Sequence, residues 1–161
     1  MDSDEALLEA WPGVRIDRDN IEYYRALLDR RLVVARCRDC RTWHHPPRSV
    51  CPRCWSRSIG AEPVSGRGTV AFSTIVHGRR GGSAGGRLVA AVELDEQEAL
   101  RIAALVVEAD QAAVTPGTEV ELTWLEREGR PVPAFRPVAG SPAAARATAA
   151  DEQAVQEGAS S

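Results

Sequence analysis

No lysine occurs among the 161 residues, and all twenty basic side chains are arginines. That absence removes the lysine of phosphate-binding loops, Schiff-base catalysis and any lysine general base. No stretch approaches the roughly 18 consecutive apolar residues of a membrane-spanning helix. The opening MDSDEALLEAWPG is acidic and has no apolar run of signal-peptide length, so a cytoplasmic protein is expected. The formal charge of −3 argues against a chain built as a whole to coat polyanions. Aromatics are scarce, and beyond residue 64 only Phe72, Trp124 and Phe135 could stack on bases. No GxSxG elbow is present, and SGRGTV, with no helix after it, reads as a turn opening a strand.

What is present is concentrated in residues 37–55, CRDCRTWHHPPRSVCPRCW. All four cysteines fall there, in two CxxC pairs separated by ten residues. A CxxC turn puts two thiolates on one tight bend, and two such bends facing each other complete a tetrahedral Zn²⁺ site. Cys37, Cys40, Cys51 and Cys54 are therefore the expected metal ligands. Four thiolates leave no open position for water or substrate, so the expected zinc is structural, and no catalytic residue is assigned. His44 and His45 read as exposed loop residues ahead of Pro46 and Pro47 rather than as ligands. Arg36, Arg38, Arg41, Arg48, Arg53 and Arg57 surround the motif, with Asp39 as the opposing charge nearby. With zinc in place this patch carries about +3 and could meet nucleic acid, cofactor phosphates or an acidic partner surface. His77, beside a glycine-rich stretch, is the best single candidate for acid–base work, although a lone histidine is commonly an ordinary surface residue.

The remaining chain divides by pattern. Leu7, Leu8 and Trp11 suggest a short helix capped by Ser3 and ended by Pro12-Gly13. Ile21, Tyr24, Leu27 and Leu28 recur at helical spacing, which predicts a second helix capped by Asp17 or Asp19 and running to about Arg30. An apolar strand begins at Leu32 and leads into Cys37. Strands are predicted at 69–77, 88–94, about 100–107, 119–125 and near 134–136, with a short helical turn near 110–114. Five short strands after residue 64 suffice for a small closed barrel. Residues 77–87, HGRRGGSAGGR, read as a mobile loop. Beyond Val138 the Ala-rich tail has Val155 as its sole larger apolar side chain, and disorder or a frayed helix is expected.

The order of these parts resembles the domain-of-unknown-function 35 family, zinc-ribbon OB-fold proteins associated with acyl-CoA metabolism. The resemblance rests on Ala26-Leu27-Leu28, the cysteine segment, VSGRGTVAFSTIVH, VAAVELDE, Pro116-Gly117 before VELTW, and PAFRPV, over residues 20–138. It implies a mainly β protein: N-terminal helices over 1–31, a rubredoxin-like zinc ribbon over 32–63, a five-stranded OB-fold over 64–138 and a tail over 139–161. It also implies a non-catalytic accessory subunit that supports a thiolase-like partner acting on acyl-CoA: a thiolase, an acyltransferase or a steroid side-chain aldolase. The family's OB domain is proposed to bind acyl-CoA. Here Arg38, Arg41, Trp43, His44, His45, Arg48 and His77 are the candidate contacts to a partner or to the CoA phosphates. Two departures from the family pattern stand out. Arg41 and Trp55 occupy the positions after each CxxC where glycine is usual, and the stretch after His77 lacks the family's apolar residues and proline.

Two other readings stay open. OB barrels and zinc ribbons both bind single-stranded nucleic acid, but the acidic balance and the few aromatics weigh against it. An independent acyl-CoA hydrolase lacks a nucleophile–base pair.

Overall fold

The computed structural model describes residues 3–77 and 86–144. The expected mobile loop, but for its ends, and most of the tail lie outside these residues. The chain divides into two compact units. One runs to Ser65 and includes Trp124–Pro133, and the other comprises Gly66–Thr123 and the chain from Ala134.

In the first unit, helix α1 (Ser3–Ala10) precedes α2 (Ile21–Leu28). Gly13, at φ 78°, turns the chain after Pro12. Leu7, Trp11 and Leu27 of the apolar spacing are buried, together with Ala26, whereas Leu8 and Leu28 are exposed. The cap differs from expectation. Asn20 is the N-cap, and its side chain accepts from the Asp17 amide at 2.8 Å, so neither aspartate caps the helix. The C-terminus also comes earlier: Arg30 turns left-handed at φ 53°, and the Arg31 amide reaches back to the Ala26 carbonyl at 2.9 Å.

Strands β1 (Val33–Cys37), β2 (Trp43–His44) and β3 (Ile59–Pro63) form an antiparallel sheet in the order β2-β1-β3. The apolar run 32–35 is buried along β1. β3 has no strand signature, since IGAEP is rich in weak strand formers. It pairs because the second cysteine turn delivers it alongside β1, with Cys37 opposite Ile59 and Val33 opposite Pro63.

Five further strands follow, β4 (Arg67–Val76), β5 (Arg87–Leu94), β6 (Arg101–Val106), β7 (Glu119–Arg127) and β8 (Arg130–Pro137), of which the end of β7 from Trp124 and the start of β8 to Pro133 fall in the first unit and the rest in the second. They close a barrel in the order β4-β5-β6-β8-β7, with β7 returning to β4 and β6 running parallel to β8. The mainly β architecture expected from the pattern is thus present: a three-stranded sheet carrying the cysteine motif, and a closed five-stranded barrel. Val70, Val92, Leu94, Val120 and Phe135 fill the barrel, with Phe135 fully buried. Gly68 pairs with Leu94 on one side and Val120 on the other. A Cβ there would stand 2.3 Å from the Glu93 carbonyl oxygen, so only glycine permits this close strand approach. The 110–114 segment forms a turn in which the Ala113 amide bonds the Asp110 carbonyl at 2.9 Å. Ser141 accepts from the Ala144 amide at 3.2 Å.

Candidate functional site

The cysteine motif folds into two turns with the same backbone pattern. In the first, the Arg41 amide donates to Cys37 O at 2.9 Å, and the Cys37 amide to Thr42 O at 2.9 Å. In the second, the Trp55 amide donates to Cys51 O at 3.0 Å, and the Cys51 amide to Ser56 O at 2.8 Å. Arg41 and Trp55 both adopt φ 62°, the left-handed region that glycine enters without cost. The missing glycines therefore leave the turn geometry unchanged, and each non-glycine residue carries the backbone strain instead.

The four Sγ atoms lie within 4.8 Å of one another. Cys37 stands 3.6 Å from Cys54, and Cys40 3.5 Å from Cys51. A tetrahedron with metal–sulfur bonds of ~2.3 Å has edges of about 3.8 Å, so the cluster has the size such a site requires. The electrostatics agree. Backbone amides, that of Cys40 foremost, pull the Cys37 thiol down. The Thr42 hydroxyl and amide lower Cys40 to about 6. Cys54 is pushed up to about 12: the Ser56 amide favours its thiolate, but the Cys40, Cys37 and Cys51 sulfurs and burial together outweigh it. Four clustered sulfurs cannot all be charged without a cation between them, and a divalent ion resolves that conflict.

The structure redistributes the residues around the motif. His44 is not the exposed loop residue expected: Trp43 and His44 form β2 and are buried, with His44 at 7% exposure. Arg36 lies over the Trp43 ring at 4.5 Å. Burial lowers the pKa of His44, with the Arg48 charge adding to the effect and the nearby Pro46 carbonyl opposing it. Among the described residues no partner meets hydrogen-bond geometry at either ring nitrogen. His45 is half-buried, with its pKa also lowered by burial, and its ring lies 5.8 Å from that of Tyr23. Burial places both rings in the fold, where pairing with β1 was needed to reveal it.

The arginines separate into two groups. Arg36 reaches Glu62 at 2.8 Å and Arg41 reaches it at 3.2 Å, an acid from β3 that sequence proximity did not offer. Hydrogen bonding from Arg36, together with both positive charges, holds the Glu62 carboxyl below the usual range. Arg38 and Arg48, by contrast, line a cavity of about 680 Å³ in the first unit, together with His45, Arg57, Arg18 and Tyr23. Arg57 and Tyr23 were not among the anticipated contacts. Arg57 belonged to the recognised basic cluster, whereas Tyr23 carried no signal beyond its helical spacing. His77 is exposed at the end of β4 in the other unit, near Gly86. None of the described residues joins it in a nucleophile–base pair.

Comparison with known proteins follows these features. The family model described as ChsH2, rubredoxin-like zinc ribbon domain, matches residues 25–60. A Thermomonospora curvata protein named "Probable enoyl-CoA hydratase alpha subunit" is 36% identical over 129 residues. That match covers 78% of this chain but 40% of the relative, so the chain spans about two fifths of that protein's length. Among solved structures, a chain of the "Ltp2-ChsH2(DUF35) aldolase" is 33% identical, with TM-score 0.71, over 78% of this chain and 99% of that one. A DUF35-family protein of unknown function from Sulfolobus solfataricus, at 15% identity and TM-score 0.55, shares the fold over 83% of this chain and 94% of that one.

Proposed function

We propose, because this chain belongs to the DUF35 family, that it is a non-catalytic accessory subunit of a complex acting on acyl-CoA. The observation that carries the reading is its likeness, over 99% of the matched chain, to a subunit of the Ltp2-ChsH2(DUF35) aldolase. The partner in this reading is a thiolase-like protein, whether thiolase, acyltransferase or steroid side-chain aldolase, and it supplies the catalytic groups. The absence of a nucleophile–base pair among the described residues supports leaving the chemistry to that partner.

The metal in this reading is zinc, held by Cys37, Cys40, Cys51 and Cys54, and its task is to fix the ribbon. Arg38 and Arg48, exposed beside the ribbon, are the side chains we assign to CoA phosphates or an acidic partner surface. Arg41 is held by Glu62, while Trp43 and His44 are buried, so these three would act through the fold. His45 lines the same cavity as Arg38, and His77 is kept as a contact on the barrel. None of the described helices is long and apolar enough to cross a membrane, and we place the complex in the cytoplasm.

Co-expression with a thiolase-like protein encoded nearby is the test. A stable complex on gel filtration is expected, with acyl-CoA turnover in the complex and none in this chain alone. Separate elution of two folded proteins would refute the reading. The hydratase relative favours a second partner class. The same experiment with a hydratase-fold protein decides between them: the true partner co-elutes and the other does not.

A further inference from the structure

The two cysteine turns invite comparison with each other. Their backbones match, and each carries a residue with a full side chain at φ 62°, Arg41 in the first and Trp55 in the second. The strain at Arg41 has a return inside the chain, since its guanidinium reaches Glu62 at 3.2 Å. Trp55 has no such return. Its indole makes no hydrogen bond, ring contact or cation contact with any described residue. At 78% exposure it is also the most exposed of the large apolar side chains among those residues. A left-handed residue that costs backbone energy and gains nothing from its own fold points to a contact made outside it.

Its surroundings define that contact. Trp55 lines an open hollow of about 490 Å³ with Pro47, Val50, Pro52 and Arg48. The three smaller apolar side chains extend the surface of the indole, and Arg48 has no ion-pair partner among the described residues. Small ligands are held where most of their surface is enclosed, whereas an exposed tryptophan beside an arginine has the composition of a protein-binding hot spot. A second copy of the chain fits poorly, because a two-fold contact sets the same patch against itself and would bring the positive charges of the ribbon face to face.

We propose that Trp55 anchors the interface with the partner subunit, seated in an apolar socket of that protein whose rim carries carboxylates for Arg48. The inference rests on the accessory-subunit reading above and deepens it by naming the side chain that holds the complex.

The test uses the full zinc-loaded chain and the thiolase-like protein encoded nearby, with the hydratase-fold protein run in parallel. Affinity is measured for wild type, Trp55→Gly and Trp55→Phe, together with the zinc content and urea midpoint of each chain alone. Trp55→Gly should weaken the complex about thirtyfold, the loss of a hot-spot side chain, while zinc content is kept and the midpoint holds or rises. Trp55→Phe keeps an aromatic anchor and should recover part of that loss. Arg48→Glu should slow association, as reversal of a rim charge does. Fluorotryptophan placed in this chain alone labels its four tryptophans, and the fluorine signal missing from Trp55→Phe identifies Trp55. That signal should shift when unlabelled partner is added. Undiminished affinity of Trp55→Gly, a Trp55 signal that the partner leaves in place, or unchanged association of Arg48→Glu would overturn the proposal and leave the accessory-subunit reading standing. So would a chain that self-associates without a partner and becomes monomeric as Trp55→Gly, since a second copy would then be the occupant. If neither candidate partner binds the wild type, both readings fall together.

Discussion

Trp55 is 78% exposed and sits at φ 62°, a conformation costly for any side chain with a Cβ. With little packing to lose, Trp55→Gly should leave stability unchanged or raise it by about 1 kcal/mol, read from the urea midpoint. A loss of that size would instead mean that the indole is held by the fold. His44 and His45 make the opposite case, since burial favours their neutral rings and lowers both pKa values below the ordinary 6.5. The unfolded chain therefore takes up protons first. The stability these rings contribute is complete above about pH 6.5 and is lost as pH falls toward their folded values. NMR titration of the ring protons isolates this effect from acid release of metal. Both midpoints should fall below 6.5, and a midpoint at or above it would mean that the ring is solvated. Neither ring's burial was legible in WHHPP, because the turn residues around it carry the signature of an exposed loop.

Among the elements, the ribbon depends most on one interaction, since β2 has two residues and β3 is poor in strand formers. The cysteine turns bring both strands to β1, so metal binding and sheet formation are one event. Cys40→Ser should reduce metal affinity by more than the roughly 100-fold that removing an outer partner costs. Strong chelation should do the same to the wild type. In either case hydrogen exchange across residues 33–63 should lose its protection, and partner binding should fail. A metal-free ribbon that kept its protection and its partner would refute a structural role. The barrel strands were legible because each alternates or carries a β-branched run between turn residues. Glu128-Gly129, both left-handed, closes the β7–β8 hairpin. β3 was not legible, because its pairing is imposed from outside.

At the scale of the whole molecule, the nucleic-acid reading loses its platform. Phe135 is fully buried and Trp124 half-buried, so Phe72, at 58% exposure, is the exposed ring among the described barrel strands. Single-strand binders stack successive bases on several rings, and one ring does not supply that. The complex predicted above rests instead on assembly. A partner meeting the basic ribbon should bind more weakly as salt rises, because the attraction between exposed charges is screened within about 10 Å at 0.1 M. Co-elution at low salt that persists undiminished near 1 M would mean that apolar contacts, and not the arginines, hold the partner.

By itself the sequence determined what depends on local spacing and on residue type. Two CxxC pairs dictate a four-sulfur site, apolar periodicity dictates the helices and β1, and turn residues at regular intervals dictate five barrel strands. The tertiary structure decided what depends on neighbours distant along the chain. It buried His44, gave Arg36 and Arg41 a counter-charge in Glu62, and left Arg38, Arg48 and Arg57 facing one cavity with no ion-pair partner among the described residues. The physical reason is that a charge is paired or free according to what the fold brings within about 4 Å of it, a distance no spacing in the sequence encodes.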